Sequence, residues 1–267
     1  MKLRSYPSLV FVLACLLVIP ACIMVIDPER LTEQEPETQF SRTLDFQAGG
    51  NLAITNDFGR IRISGGDEDK LDIRSSWRLR RPVRSRISFY GVGTVRPDIK
   101  IDRQDDLVKI QAEASKWPGT PFEVDFELIT PVSVNLQEVD VGRGEIEVSD
   151  LYGNAVIKLG TGNVTVTNFS GSLDIKIEKG AAFVEALDIR GGDLIRIDID
   201  GGDIELMIEE GAGALVEAAA AEGEVYSEFK LVAGESGRSL SGMIGTGQAR
   251  IILATRHGNI KIGKIKE

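Results

Sequence analysis

Residues 144–184, GEIEVSDLYGNAVIKLGTGNVTVTNFSGSLDIKIEKGAAFV, decide the fold. Glycine recurs every nine residues, and branched apolar residues follow each glycine at alternate positions. The glycines are Gly144, Gly153, Gly162, Gly171 and Gly180. Alternation with a period of two predicts β-strands, which β-branched residues favour. A unit this short cannot bury its own apolar face, so we expect it to stack on copies of itself as a β-solenoid.

Two such units would make one turn of about 18 to 20 residues, with side chains such as Val148 and Val166 in interior rows. The glycines, often followed by Asn or Asp, are expected at corners with positive φ. A helical alternative is excluded for this region, because glycine every nine residues would cost about 1 kcal/mol per site. Only residues 212–222, AGALVEAAAAE, leave a helix and an alanine-faced pair of strands equally open.

The amino-terminal half has longer and less regular units. Residues 107–112 and 122–129 alternate as wider strands of antiparallel type. Most of the large aromatic side chains also lie here, which suggests a cap over one end of the stack. They are Trp77, Phe89, Tyr90, Trp117 and Phe122. We therefore expect one domain over residues 40–267, with a cap or less regular half at 40–135 and regular repeats at 136–267.

The first 26 residues have the order of a secretory signal. Lys2 and Arg4 precede an uncharged apolar run over residues 9–26, for which an uncleaved membrane anchor is the alternative. Residues 19–22, Ile-Pro-Ala-Cys, resemble the lipobox of bacterial lipoproteins. The resemblance implies a signal peptide at residues 1–21, cleavage before Cys22 and acylation of its thiol. Residues 22–39 are then the acylated cysteine with an acidic tether, and the residue after Cys22 favours the outer membrane.

Composition excludes several classes of function. The 267 residues carry a net charge of −10, and removal of residues 1–21 takes away two basic residues and brings it to −12. Nucleic acid is not expected as a partner of such an acidic chain. Two cysteines and one histidine are too few for a zinc site, a Cys/His pair or a disulfide scaffold, so we expect no metal and no cofactor. His257 is expected in a surface turn.

A cluster of arginines surrounds Trp77. It comprises Arg74, Arg78, Arg80, Arg81, Arg84 and Arg86. One interpretation is an exposed strand edge that the charges protect from pairing. The other is a site for anionic groups of lipid headgroups, lipopolysaccharide or wall polymer, which guanidinium groups fit. For that site we single out Arg78, Arg80, Arg81, Arg84 and Arg86.

Four aspartates occur in GGDLIRIDIDGGD, an incomplete version of a calcium-binding nonapeptide repeat. They are Asp193, Asp198, Asp200 and Asp203. Strand alternation alone would place Asp198 and Asp200 on the solvated face, so we expect no metal site there. Parallel β-helices also include carbohydrate-cleaving enzymes, but the acidic residues here are dispersed and no aromatic residues accompany them.

Residues 122–166 and 242–265 carry a family resemblance. They are similar to the bacterial putative-adhesin domain of exported β-strand repeat proteins, with Thr255 to Ile262, TRHGNIKI, as the most specific part. The resemblance covers roughly residues 40–264. It implies a right-handed β-helix, similar to the heads of some autotransporter adhesins and to the toastrack modules beside envelope-stress sensors. It implies no catalytic residues.

From these observations we predict a lipid-anchored, non-enzymatic protein of the bacterial cell envelope, at the outer membrane or cell surface. The membrane is expected as a partner through the N-terminal lipid, together with an envelope polymer or a protein bound along the repetitive face. Self-association is also open. The alternative is an envelope assembly or stress-sensing scaffold that docks on other membrane proteins.

Overall fold

The fold is described from a computed structural model, which covers residues 37–79, 97–113, 122–234 and 236–265. These residues belong to one compact unit, and every regular element in them is a strand. The strands are β1 (Glu37–Asp45), β2 (Asn51–Gly66), β3 (Lys70–Leu79), β4 (Asp98–Gln104), β5 (Leu107–Glu113), β6 (Phe122–Pro131), β7 (Asn135–Tyr152), β8 (Ala155–Ser170), β9 (Leu173–Lys179), β10 (Ala182–Ala186), β11 (Leu194–Gly201), β12 (Ile204–Ile208), β13 (Ala214–Glu222), β14 (Val225–Ser227), β15 (Val232–Ala233), β16 (Ser239–Ile244), β17 (Ala249–His257) and β18 (Ile260–Lys264). The prediction of an all-β fold is confirmed.

The strands stack as rungs that pair in parallel, and each full rung has two halves. We call the half before the central glycine the first column and the half after it the second column. β7 and β8 pair in both columns, with Gly144 opposite Gly162, an offset of 18 residues. The offset between β8 and β9 is again 18 residues, as between Ala155 and Leu173. Between β9 and β11 it is 22 residues, as between Leu173 and Ile195, because residues 187–193 lengthen the connection. The first turns therefore have the predicted length and the later one is longer.

Buried side chains lie above one another in rows between the two columns. In the first column one row runs through Ile54, Val139, Ile157, Ile175, Ile197, Leu253 and Ala218. In the second column a row runs through Ile63, Val148, Val166, Val184, Leu206 and Ile262. Each of these side chains is at most 2% exposed. Burial of such a side chain contributes about 1.5 to 3 kcal/mol, so each row stabilises the stack substantially.

A ladder of seven glycines separates the two columns. It runs through Gly59, Gly144, Gly162, Gly180, Gly202, Gly258 and Gly223, all with positive φ. A Cβ atom on Gly162 would lie 1.7 Å from the carbonyl oxygen of Gly144, and one on Gly180 would lie 1.6 Å from that of Gly162. The backbones of successive rungs thus approach so closely that only glycine fits at these positions.

The residue after the glycine joins one rung to the next through its side chain. The Oδ1 atom of Asn163 accepts a hydrogen bond from the backbone N–H of Ala181 at 3.1 Å. Asp203 accepts one from Asn259 at 2.7 Å, and Asn259 accepts one from Glu224 at 3.0 Å. These bonds satisfy backbone donors at the point where the strand bends, which explains why Asn and Asp follow the glycines.

The spatial order of the rungs departs from chain order near the C-terminus. β17 pairs in parallel with β11 on one edge and with β13 on the other. β18 lies in the same way between β12 and β14. The last rung of the chain is therefore an interior rung of the stack. β16 and β15 extend the first column in antiparallel orientation beyond β13.

The other end of the stack is formed by the amino-terminal strands. β5 pairs in parallel with β2 and antiparallel with β4, while β6 pairs in parallel with β2 and antiparallel with β3. β1 completes this end antiparallel to β3. Trp77 packs against the core and Phe122 is buried, whereas Phe89, Tyr90 and Trp117 lie outside the described residues. Residues 214–222 form the strand β13, so the helical alternative for 212–222 is wrong.

Candidate functional site

The predicted arginine site is only partly within the described residues. Arg74 and Arg78 lie on β3, whereas Arg80, Arg81, Arg84 and Arg86 lie outside the described residues. The guanidinium group of Arg78 forms an ion pair with Glu123 and lies 3.6 Å from the carboxylate of Asp125, both on β6. The hydrogen bond to Glu123 raises the pKa of Arg78, and burial opposes this shift. The charge of Arg78 is therefore balanced by residues of the same sheet.

Arg78 lines a groove beside the glycine ladder, which we call the corner groove. Its floor is formed by Gly59, Gly144 and Gly162, and its volume is about 420 Å³. Its charged lining consists of Arg60, Arg78, Arg143, Glu123, Asp125 and Glu145. Three cations face three anions, so the groove has no net charge. It offers alternating donors and acceptors for a polar ligand but no excess positive charge for an anion.

Ion pairs connect neighbouring rungs on the outer face of the second column. The Nε atom of Arg62 lies 2.7 Å from Glu147, and the Nη2 atom of Arg60 lies 2.6 Å from Glu145. The hydrogen bond to Glu147 is the main reason that the pKa of Arg62 is raised. All four side chains are substantially exposed, so each pair contributes at most about 1 kcal/mol to stability. Their main effect is to hold the charged groups in a regular array.

A second groove crosses the outer face of the first column, and we call it the rung groove. Gly142 and Gly160 form part of its floor, and its volume is about 490 Å³. Its charged lining consists of Asp140, Lys158, Lys176, Glu178, Asp198 and Asp200. Lys158 lies 2.7 Å from Glu138, and this hydrogen bond raises the pKa of Lys158. The groove is an open trough because two glycines replace side chains in the outward row.

The four aspartates of the incomplete calcium motif do not form one group, although Asp198 and Asp200 both line the rung groove. Asp193 accepts a hydrogen bond from the backbone of Arg190, and Asp203 accepts one from Asn259 in the other column. Asp200 pairs with Arg256 at 3.0 Å. Within the described ranges, no group of three His, Cys, Asp or Glu side chains is placed to hold a metal ion.

His257 is exposed, as expected, but it is the last residue of the strand β17 and not part of a turn. Its Nδ1 atom lies 2.8 Å from the carboxylate of Glu222 on the neighbouring strand β13. The pair lies at the end of the first column, beside the glycine ladder. The pair joins β17 to its neighbour β13.

A regular feature of the surface is an outward row of seven side chains in the second column. It runs in register through Arg62, Glu147, Thr165, Phe183, Glu205, Lys261 and Tyr226. Lys261 and Glu205 form an ion pair at 2.7 Å. We call it the display row. Its members are the third residues after the ladder glycines, but the sequence alone does not predict the row, because the final rungs are out of chain order.

Exposed apolar side chains concentrate at the end of the stack near the C-terminal strands. Val232 is 72% exposed, Met243 is 63% exposed and Tyr226 is 59% exposed, and Leu215 lies opposite Met243 with 40% exposure. These residues lie on β13, β14, β15 and β16. Apolar side chains clustered on an exposed surface are typical of a contact site for another molecule.

The predicted anchor cannot be placed. Cys22, the signal peptide at residues 1–21 and most of the tether lie outside the described residues. In the part of the chain that is described, no helix is long and apolar enough to cross a bilayer.

The family model described as Toastrack DUF4097 matches residues 125–263. No curated protein matches.

Among solved structures, the chain is similar to a "putative cell adhesion protein" from Clostridium sporogenes, at 14% identity and a TM-score of 0.48, covering 86% of this chain and 100% of the other. It is similar to a "putative adhesin" from Bacteroides fragilis, at 13% identity and a TM-score of 0.33, covering 84% and 96%. A "putative lipid binding protein" from Parabacteroides distasonis has 10% identity and a TM-score of 0.25, with 85% and 96% covered.

Proposed function

The chain belongs to the Toastrack DUF4097 family, and from its sequence and its surface we propose that it is a lipid-anchored, non-enzymatic protein of the bacterial cell envelope. In this proposal it binds through the repetitive outer surface of its stack, in the manner of an adhesin. Cys22 carries the lipid, residues 22–39 are the tether, and the folded part stands at the outer membrane or cell surface.

The observation that carries this proposal is the display row. Seven outward side chains lie in register on successive strands, which are about 4.8 Å apart. An extended ligand laid along the row meets a polar or aromatic group at each step. Each contact on such an open surface is weak, and affinity comes from their sum and from several copies on one membrane. A repetitive polymer or an extended protein segment fits this surface better than a small molecule.

A multiple substitution tests the proposal. We expect Glu147→Ala, Thr165→Ala and Glu205→Ala together to weaken binding to the recognised polymer by about tenfold or more, since 1.4 kcal/mol is tenfold. Each single substitution should cost less than about threefold, because weak contacts add. The measurement is binding of the full chain to immobilised lipopolysaccharide, peptidoglycan and mucin. The matched control is Asp140→Ala, Lys176→Ala and Asp198→Ala in the rung groove, which should leave binding unchanged.

Loss of all binding through one single substitution would contradict the proposal, because it would indicate a pocket with a dominant contact. Equal effects of the two triple variants would also contradict it. The display row and the rung groove lie on opposite columns, so a ligand that follows one of them does not contact the other.

We also propose that the stack is a right-handed β-helix with glycines at its corners. Crossovers between parallel strands are right-handed in about 98% of cases, because right-twisted strands pack back on a sheet only in that sense. The positive φ of the seven ladder glycines and the change of column at each of them support the corner assignment.

The arginine cluster is proposed as a secondary contact with anionic envelope groups, through the residues after Arg78. Each basic residue near an anionic surface contributes about 1 kcal/mol, so Arg80→Glu, Arg81→Glu and Arg84→Glu together should weaken binding to phosphatidylglycerol vesicles at low salt by about 100-fold. Arg78→Gln is the control and should change binding by less than about threefold, because Glu123 and Asp125 already balance its charge. Unchanged vesicle binding of the triple variant would reject this contact.

One observation favours a second candidate function, a scaffold that docks on other membrane proteins. The exposed apolar residues Leu215, Val232 and Met243 lie on β13, β15 and β16 at one end of the first column, where a protein partner could cover them. Substitution of all three by Ser should abolish co-purification of a protein partner in that case, whereas it should leave polymer binding through the display row unchanged.

A further inference from the structure

The C-terminal rung, β17 and β18, is paired on both edges. In β17, Ile251 lies opposite Ile195 of β11 on one edge and opposite Val216 of β13 on the other. In β18, Ile260 lies opposite Ile204 of β12 and Val225 of β14. The last part of the chain therefore occupies a position with a complete rung on either side.

The preceding part of the chain leaves this position open. Residues 209–213 connect β12 to β13, and among the described strands β13 pairs with β16 and β17 but not with β11. Without the last rung, β11 and β13 would bound a slot one strand wide, about 9.6 Å across. The rung fills the slot with six buried side chains. They are Ala249, Ile251, Leu253, Thr255, Ile260 and Ile262.

A short hinge joins this rung to the rest of the chain. Residues 245–248 connect Ile244, which lies opposite Ala214 on one edge of β13, to Ala249, which lies opposite the same residue on the other edge. The hinge thus crosses the end of β13, and it contains Gly245 with φ 54° and Gly247 with φ 68°. Fully extended, its four residues reach about 14 Å, which is far enough to enter a neighbouring molecule.

We propose that the slot also accepts the C-terminal rung of a second copy of this chain, which gives a dimer with exchanged rungs. The partner is a second copy, because β17 and β18 of one copy can pair with β11 to β14 of another copy in the same register. The same side chains are then buried as within one chain. Only the hinge has new contacts in the exchanged form. The short hinge at residues 245–248 has to cross the end of β13 in the monomer. Its backbone is less constrained when the C-terminal rung leaves its own chain, which favours exchange.

Two variants test this inference, each with one added cysteine in a full chain that also carries Cys15→Ser and Cys22→Ser. Asp198 of β11 and Ala254 of β17 are direct neighbours on the outer face of the first column. Full chains of Asp198→Cys and Ala254→Cys are denatured together, refolded together in detergent and oxidised, and cross-linked peptides are identified by mass. We expect a disulfide that joins position 198 of one variant to position 254 of the other, with a yield that rises with protein concentration. Variants folded separately and then mixed should give at least about tenfold less, because unfolding limits exchange.

The matched control is the pair Lys158→Cys and Lys176→Cys, which are neighbours on β8 and β9 in the same outward row. These rungs are not exchanged, so their mixture should give no disulfide between chains. A chain with both Asp198→Cys and Ala254→Cys checks that the geometry allows the bond. The proposal is overturned if this double variant cross-links within one chain while the mixed single variants do not link, or if the control pair links equally well.

A longer hinge gives an independent readout. Insertion of six Gly and Ser residues between Thr246 and Gly247 removes the constraint of crossing β13, so the fraction of exchanged dimer after refolding should fall several-fold. An unchanged or increased dimer fraction would contradict the role of the hinge.

Discussion

Ile175→Asp is expected to unfold the stack. Ile175 is 0% exposed and lies between Ile157 and Ile197 in the buried row of the first column. A carboxylate at this position would have apolar side chains on both sides and no basic partner, and burial of an unpaired charge costs at least about 4 kcal/mol. Domains of this kind have a free energy of unfolding of about 5 to 15 kcal/mol, so most of the stability would be lost. Val166→Asp in the second column should act in the same way.

Thermal unfolding followed by circular dichroism measures this effect. The control is Lys176→Asp, the next residue on the same strand, whose side chain is exposed. It should change the free energy of unfolding by less than about 1 kcal/mol. If Ile175→Asp melted like the unchanged chain, the assignment of inward and outward faces would be wrong.

Gly162→Val is expected to have an effect of similar size for a different reason. A Cβ atom at this position would lie 1.7 Å from the carbonyl oxygen of Gly144, and φ is 138°. Such an overlap with backbone cannot be relieved by a side-chain rotation, so the rungs must move apart and lose the packing of their rows. We expect a loss of at least about 4 kcal/mol, in the range of the most destabilising substitutions. Gly162→Ala should be nearly as harmful, since the Cβ atom alone causes the overlap.

Substitutions at two other glycines distinguish the cost of backbone strain from the cost of steric overlap. Gly192 has φ 99° but open space around it, so Gly192→Ala should cost only the backbone strain, about 1 to 3 kcal/mol. Gly211 has open space and no positive φ in the strained range, so Gly211→Ala should change stability by less than about 0.5 kcal/mol. The urea concentration at the midpoint of unfolding should therefore be highest for Gly211→Ala, lower for Gly192→Ala and lowest for Gly162→Ala. An equal effect at Gly162 and Gly211 would mean that the ladder does not require close approach of the backbones.

The buried rows could be predicted from the sequence because they depend on local patterns. Alternation places Val148 and Val166 on the inner face whatever lies above and below them. The order of the rungs could not be predicted, since the strand 249–257 has the same alternation as its neighbours and nothing local says that it enters between β11 and β13. The ambiguity at residues 212–222 has a similar origin, because alanine fits a helix and an inward strand position equally well.

The candidate site was harder to predict than the fold. The arginine cluster is visible in the sequence, but the partners of Arg78 lie about 45 residues away on β6, so its balanced charge is a tertiary property. The display row has the same limitation, because its members come from rungs that are neighbours only in space. The Asn and Asp residues after the glycines are the exception, since their backbone hydrogen bonds follow from local geometry.

The central claim of this account is that the stack is displayed from a membrane by a lipid on Cys22. The most direct test is the intact mass of the protein extracted from membranes, together with the mass of its N-terminal peptide. The account predicts a mature chain that begins at Cys22 and carries added acyl mass, and it predicts that Cys22→Ser abolishes this form while Cys15→Ser does not. A chain that retains Met1 and carries no acyl mass would contradict the claim and favour an uncleaved membrane anchor.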